Sequence, residues 1–477
     1  MRFIGNVEKD AQVRAIASGA LPSGDAVIVN SDGTVSVISE TAVSESYGTP
    51  VLFEGATSAT RISSDMYDGV LVVTYVKGST SELNAVVGIV TGETISFGTP
   101  AVVSDSTGIV YTSTTIAHTT GNVVVSFKDT GASNRGRARV ASISGTTLTF
   151  GGVVQFESGV TDYIGSTYDA ASDKVVISYA DDSNASYGTA VVGTITGTSI
   201  SFGTPVVFDS AHSLYTSCVY DPDTASVVIM YANASSQGRG VVGTVSGTSI
   251  TFGGTSTYKT GVMPSYVACT YDTSSNRVVA AYRGTSGFAE AVVGAVSGTS
   301  LSFGTPVVWK SSTIIWTSVG YSSLAGKVGV AGFTTQGVSF VGAVGAADNS
   351  ISFGGETIYG SPNVFFNFFA SDYGSSGKLV LSYASGGSQN GNSLVLRPAY
   401  NETNLTAENF IGFAAHTYAD AQSALVNSTC TVNSNQSGLT AGQAYYVQAD
   451  GTLAETPANP SVLAGTAISS NSIIVKG

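Results

Sequence analysis

Apolar and polar residues alternate in short bursts along most of this chain. Residues 163–208 set the pattern. Runs rich in Val, Ile, Thr and Tyr fill 163–168, 174–180, 189–195 and 199–208, each bounded by Gly, Asp, Asn or Ser. Runs of that length and make-up predict β-strands. Thr196-Gly197-Thr198 and Ser246-Gly247-Thr248 predict tight hairpins between the third and fourth runs, where Gly takes a positive φ at little cost. The four-run unit then recurs. An aromatic followed by Gly falls at Tyr47, Phe97, Phe150, Phe202, Phe252, Phe303 and Phe353, at spacings between 50 and 53 residues. A second phrase, typified by Lys174-Val175-Val176-Ile177-Ser178-Tyr179, closes on Tyr75, Phe127, Tyr179, Tyr231, Tyr282, Phe333 and Tyr383. Four short strands repeated seven times at this period predict an all-β fold, a seven-bladed β-propeller. An open β-solenoid is the competing arrangement. The units lack the 3.6-residue periodicity of a helical solenoid.

The order of strand types predicts how the ring closes. The first copy of the fourth strand, residues 46–53, precedes every first-type strand, while the last unit, 362–399, ends without a fourth strand. Residues 46–53 therefore complete that last blade, and no sheet edge is left open. The propeller spans 43–399. Segments 1–42 and 400–477 leave the same blade and echo each other. Gly24-Asp25-Ala26-Val27-Ile28-Val29 with Asp32-Gly33-Thr34 resembles Gly442-Gln443-Ala444-Tyr445-Tyr446-Val447 with Asp450-Gly451-Thr452, and Phe3-Ile4-Gly5 is echoed by Phe410-Ile411-Gly412. Strand plus Asp-Gly is a hairpin signal. One small β-domain built from both termini, serving attachment, is the expectation; two independent hairpins on the propeller rim are the alternative.

Composition narrows the class. Hydrophobic residues make up 43% and charged residues 11%, too apolar for disorder. The net charge of −13 argues against nucleic-acid partners, whose phosphates call for Lys and Arg. No apolar run reaches the roughly 20 residues of a membrane span, so membrane insertion is not expected. The N-terminus has no signal-peptide core. The 3 cysteines in 477 residues are no disulfide framework and fit folding in a reducing compartment.

The stretch Asn409-Phe410-Ile411-Gly412, then Ser437-Gly438-Leu439-Thr440-Ala441-Gly442 through Val447 and Asp450-Gly451-Thr452-Leu453, resembles the terminal modules of virion proteins from marine tailed phages. Gly19-Ala20-Leu21-Pro22-Ser23-Gly24 is similar in kind. The resemblance covers about a quarter of the chain. It implies a non-enzymatic structural virion protein, a tail fibre, baseplate-associated protein or capsid-surface fibre. Such a protein is made in the host cytoplasm, joins other virion proteins through its terminal domain, and contacts the host surface or decorates the particle. It identifies no catalytic residue. Its oligomeric state stays open.

Fold alone does not assign chemistry. The repeated Ser-x-Asp-x-Gly-x-x-Trp turns of propeller sialidases are absent. Asp169, Asp221 and Asp272 each follow a Tyr in successive units, which points to hairpin Asx turns rather than to a blade-specific carboxylate pair. His118, His212 and His416 share no ligand spacing, and Cys218 and Cys269 occupy equivalent positions and read as buried thiols. No catalytic residue, metal or cofactor is expected. One recurrence is left for binding. Five residues before the tyrosine of the Tyr-Asp pair stand Tyr111, Tyr163, Tyr215, Tyr266, Trp316 and Phe368, while the first unit has Ala59, Thr60 and Arg61 there. These aromatics would ring one mouth of the central channel, either stacking on a sugar of a host-surface polysaccharide or packing blade against blade. The loops before the first strands, at Asp209–His212, Thr260–Pro264 and Gly360–Asn363, are the second candidate surface. The alternatives to the virion reading are a carbohydrate-active propeller enzyme (a glycan depolymerase) and a bacterial surface adhesin or lectin.

Overall fold

The structure, a computed structural model, describes residues 12–359, 365–371, 377–457 and 460–476, without the side chains of 365–367. Among them there is no α-helix; strands dominate, with three single-turn 3-10 helices. No helix is long and apolar enough to cross a membrane. The chain forms two units, Glu45–Pro398 and the pair of terminal segments Met1–Ser44 with Ala399–Gly477. The boundary lies two residues later than the expected residue 43 because Glu40–Val43 pairs with Tyr400–Thr403 inside the terminal unit.

In the large unit, Ala59–Tyr67 pairs with Val70–Lys77, which pairs with Leu83–Thr91. The third strand then pairs with Thr94–Phe97 and with Ala101–Ser104, two halves of a fourth strand interrupted at Gly98-Thr99-Pro100, where Pro has no N–H to give to the ladder. The pattern recurs along the unit. In two places the fourth strand runs straight into the next first strand, as Thr147–Asp169 and Val206–Asp221, where the sequence predicts a loop. Each first strand lies against the next, and Phe365–Ser371 lies against Ala59–Tyr67. The last third strand, Asn390–Arg397, pairs with Ser46–Tyr47 and Val51–Glu54.

Sheets stack face to face, so second strands such as Lys174–Asp181 are buried on both sides. One core cluster joins Leu71, Val73 and Val86 to Val380, Ala384 and Val395; another joins Val72 and Val87 to Val123 and Val125. Each such side chain contributes about 1.5–3 kcal/mol by leaving water. The glycine after the recurring aromatic has a steric cause. A Cβ on Gly203 would stand 1.9 Å from the Thr248 carbonyl oxygen of the next sheet, and one on Gly48 would stand 2.3 Å from that of Glu93. The closing aromatic of the second phrase is out of step in one unit. Phe333 pairs with Ile315, as Arg283 pairs with Ser265, so Gly332 holds the place of Tyr282. A Cβ there would meet Ile314, with the Trp309 ring 3.3 Å away; a large neighbour fills the space instead.

The terminal unit interleaves both ends of the chain. Ala26–Val29 pairs with Phe410–Ala414, and Gln12–Ile16 with Ser423–Asn427. The echoed turns are the same turn. Thr34 N and Oγ1 donate to Asp32 Oδ1 at 3.0 and 2.6 Å, and Thr452 N and Oγ1 to Asp450 Oδ1 at 2.9 and 2.6 Å. Phe3-Ile4-Gly5 lies outside the described residues.

Candidate functional site

Every first strand of the large unit carries a bulge near its start. In one, Asp162 pairs with Ala180 and Gly165 with Ser178, so three steps on one strand meet two on its partner. The residue entering the bulge is left-handed. Arg61 has φ 54, Tyr111 51, Tyr163 51, Tyr215 53, Tyr266 55 and Trp316 55. A bulky residue in that region is strained by about 1–3 kcal/mol and must be held by its surroundings. Here the next strand supplies a hold. Thr112 Oγ1 donates to the Arg61 carbonyl at 2.7 Å, and Thr216 and Thr317 donate in the same way to the carbonyls of Tyr163 and Tyr266.

The bulge aims these side chains at one another across the seams between sheets. Ring centroids are 5.0 Å apart for Tyr111–Tyr163, 4.7 Å for Tyr163–Tyr215, 5.6 Å for Tyr215–Tyr266 and 5.0 Å for Tyr266–Trp316, all tilted by about 50°. They line, with Arg61, a cavity of about 740 Å³. Five of the six expected aromatics are thus brought together. Phe368 is not their counterpart. Its strand pairs Phe365 with Ala384 and Phe368 with Ser382, which puts Phe366 at the place of Trp316 and Phe368 at that of Ser318. Phe368 still lines the cavity, but it packs against the core shared with Phe53 and Leu71. Counting back from Tyr373 misled because four phenylalanines crowd 365–369. The side chain of Phe366 is outside the described set.

Burial holds the Tyr111 phenol above its ordinary value and pushes Tyr163 up to about 12, helped by Tyr111 beside it. Both stay protonated donors across neutral pH. Asp162 precedes Tyr163 and pairs with Lys128, whose Nζ sits 5.7 Å from the Tyr111 ring centroid. Its carboxyl is raised by burial and by Asp182, against the pull of Lys128. Asp162 and Asp182 are blade-specific; Val110, Leu214 and Ser265 stand where Asp162 does. Sequence reading passed over both because neither belongs to the repeat, and absence from the repeat was the available signal.

Hydroxyls and two thiols also line the cavity, among them Ser113, Thr115, Ser166, Ser217, Cys218 and Cys269, together with the carboxylate residue Asp65. Several stitch neighbouring first strands together. Thr114 N donates to Ser63 Oγ at 3.0 Å, Ser166 N to Ser113 Oγ at 3.0 Å and Cys269 N to Ser217 Oγ at 3.2 Å. Burial raises both thiols to about 12, and all three cysteines are free. Asp169 Oδ1 accepts from the amides of Ala171 and Ser172 at 3.0 and 3.1 Å. Asp221 and Asp272 repeat the arrangement; these acids make turns. His118 stacks on Tyr67 at 4.2 Å, and His416 lies with Tyr418 in the terminal unit. Among the described residues no three metal-binding side chains gather. Of the second candidate surface, Asp209 is buried and accepts from Tyr231 Oη at 2.8 Å and Arg239 Nη1 at 3.1 Å, while Gly360–Asn363 lies outside the described residues.

No family model and no curated protein matches the chain. Solved structures do. A lectin from Burkholderia pseudomallei superposes with a TM-score of 0.52 at 11% identity, over 77% of this chain and 99% of the lectin. The NanB sialidase of Streptococcus pneumoniae gives 0.44 at 10% identity over 73% of this chain and 70% of its own. A sialidase of Trypanosoma rangeli gives 0.39 at 12% identity over 81% of this chain and 59% of its own. At such identities the likeness concerns the fold. The fold the chain shares with the lectin is all-β. The expectation of a non-enzymatic protein is corrected on this point: enzymes, the two sialidases, stand among the structural neighbours. The resemblance to virion proteins gains nothing from these comparisons.

Proposed function

We propose that the chain is a carbohydrate-binding protein on a closed seven-bladed β-propeller, and that its ligand stacks on the aromatic ring. The closed ring is supported by the contact of Phe365–Ser371 with Ala59–Tyr67 and by the pairing of Asn390–Arg397 with Ser46–Glu54. The observation that carries the binding reading is the strain. Five aromatics occupy left-handed positions in successive sheets and line one cavity. Packing alone does not require that conformation, since an ordinary strand residue fills a seam without it. Flat rings with little entropy to lose suit the apolar faces of sugars. The test is a glycan array read with the native protein and with the Tyr163→Ala/Tyr266→Ala double variant. Binding that falls at least tenfold in a variant with unchanged thermal unfolding supports the reading. Undiminished binding, or no binding by the native protein, sinks it.

Asp162 and Asp182 favour a second reading, cleavage of the bound glycan. A carboxyl held above its ordinary value with a second carboxyl beside it is an arrangement that suits a general acid and its partner. Release of reducing ends by the native protein, abolished by Asp162→Asn with binding retained, would establish it. Attachment to a virion through the terminal unit rests on the sequence resemblance, and its test is the presence of the protein in purified particles.

A further inference from the structure

We infer that the terminal unit docks on a second copy of this chain, through the open face of its C-terminal sheet. The unit is one five-stranded sheet built twice. In the first sheet the strands lie in the order Gln12–Ile16, Ser423–Asn427, Phe410–Ala414, Ala26–Val29, Val35–Val37. In the second the order is Val432–Asn433, Ser472–Val475, Val462–Ser469, Ala444–Val447, Leu453–Ala454, with the same connectivity. Details repeat as well. Val27 pairs with Gly412 and Ile28 with Phe410, a bulge that skips Ile411. Tyr445 pairs with Gly465 and Tyr446 with Leu463, skipping Ala464. A Cβ on Gly412 or Gly465 would stand 2.0 Å from a carbonyl oxygen, that of Asn427 or of Ile474. Residues 38–409, the large unit included, stand in the chain where the second sheet has only the connection 455–461.

The two sheets differ in what covers them. Successive side chains alternate between the faces of a sheet. Across the front of the first sheet runs the row Gln12, Asn427, Phe413, Ala26. Ala26, Ile28, Phe410 and Phe413 of this face are buried in one core with Tyr445, Val447, Ile473 and Val475 from the back of the second sheet. The same row on the front of the second sheet is Val432, Ile474, Thr466, Ala444. It is open. Val432 is 48% exposed and Ile474 36%, and on the neighbouring strand Leu463, the counterpart of Phe410, is 38% and Ile468 48% exposed. The other end of the stack is closed. Val27, Val35, Ala414 and Val426, on the back of the first sheet, are sealed under Leu21 and Tyr418, whose backbones bond to each other at 2.9 Å. Tyr418 belongs to the connection 415–422, which the second sheet replaces with the two-residue turn 470–471.

The open face suits a second copy. Its rows hold Val, Ile, Leu, Ala, Thr and Tyr446 but no carboxylate or cation, on a chain whose net charge of −13 sets copies against each other elsewhere. Charges stand beside it: Glu455, whose Oε1 accepts from Tyr445 Oη of the back at 3.1 Å, and Lys476, after the last strand. A contiguous exposed apolar face of this kind marks a protein contact. Front-to-back stacking, used inside the chain, is closed to a second copy, because one back is sealed and the other is occupied. Front-to-front docking about a two-fold axis is isologous and stops at two copies. It yields a stack of sheets capped at both ends by Leu21 and Tyr418, and stacked repeats need such caps to stay soluble.

The experiment is sedimentation velocity of the full chain over about 1–100 µM, where micromolar dimers form and dissociate. Ile474→Asp and Leu463→Asp put a carboxylate on the open face, and Val13→Asp puts one on an equally exposed apolar residue of the first sheet. The expected result is a native dimer whose dissociation constant rises at least tenfold in Ile474→Asp and Leu463→Asp and stays unchanged in Val13→Asp. All three variants should keep the native far-ultraviolet circular dichroism, since the replaced side chains are solvent-exposed. A native chain that stays monomeric throughout overturns the proposal and leaves the face to a different protein. A dimer indifferent to Ile474→Asp and Leu463→Asp, or weakened as much by Val13→Asp, overturns the assigned face. Assemblies that keep growing with concentration overturn the two-fold closure.

Discussion

At the scale of single residues, the repeat explains most of the chemistry-bearing side chains as structure. Asp169, Asp221 and Asp272 make turns, and Ser113 and Ser217 bind the amides of neighbouring strands. What departs from the repeat is Arg61 among the aromatics, and Asp162 and Asp182 among neutral counterparts. The thiols give a direct check on burial. Cys430 is exposed, Cys218 is buried and Cys269 is half-buried with its Sγ 3.4 Å from Ser217 Oγ. Because the nucleophile is the thiolate, and both cavity thiols are raised to about 12, a disulfide reagent at neutral pH should modify the exposed Cys430 quickly. Cys218 and Cys269 should react only as the protein unfolds. Three equally fast thiols in the native protein would contradict the enclosed cavity.

At the scale of the element, the fourth strand shows how one residue type serves a contact between sheets. Its glycine exists because a backbone carbonyl of the next hairpin occupies the space of a Cβ. Gly203→Ala should therefore destabilise the large unit by about 1–3 kcal/mol, the usual range for forced overpacking. Gly152→Ala, where nothing lies within 4 Å of the added carbon, should shift stability by no more than about 0.5 kcal/mol. Urea unfolding of the two variants separates them; equal shifts would mean that sheets are not in close register at this point. Element boundaries were legible where Gly or Asp forces a turn. They were not where a fourth strand continues into a first, as in Val206–Asp221, because no turn residue is needed when the chain simply keeps extending between sheets. The aromatic ring was legible as a recurrence, but its strained backbone was not. A left-handed Tyr looks like any strand Tyr until the register of its partner is known.

At the scale of the whole molecule, face-to-face sheets bury many tyrosines, and that sets an alkaline limit. Tyr179 Oη donates to Glu157 Oε2 at 2.9 Å and Tyr231 Oη to Asp209 Oδ2 at 2.8 Å, and both phenols are raised far above their ordinary value, first by burial and then by those carboxylates. Tyr383 is raised to about 12 by burial alone. The folded state thus binds the phenol proton more tightly than the unfolded chain does. Stability from this source is complete below the unfolded value near 10 and is lost as pH rises from there toward the folded values. Tyr383 alone contributes on the order of 2–3 kcal/mol. Denaturation midpoints should hold steady up to about pH 9.5 and fall steeply above about pH 10, with tyrosines ionising in the same transition. A gradual, non-cooperative ionisation would mean that the phenols are reached without unfolding.

The sequence by itself determined the strand content, the period of the repeat and the partner of residues 46–53, because these depend on local residue preferences and on counting. It also determined that the turn acids recur, and so that they belong to hairpins. The tertiary structure decided which side chains meet. It moved the ring position of the last first strand from Phe368 to Phe366, through a bulge register that local sequence does not encode. It brought Arg61, separated by 255 residues from Trp316, into one cavity with that tryptophan. It set Asp162 between Lys128 and Asp182, two residues outside its own strand. Proximity of that kind arises only when sheets far apart in the chain are packed around a shared space.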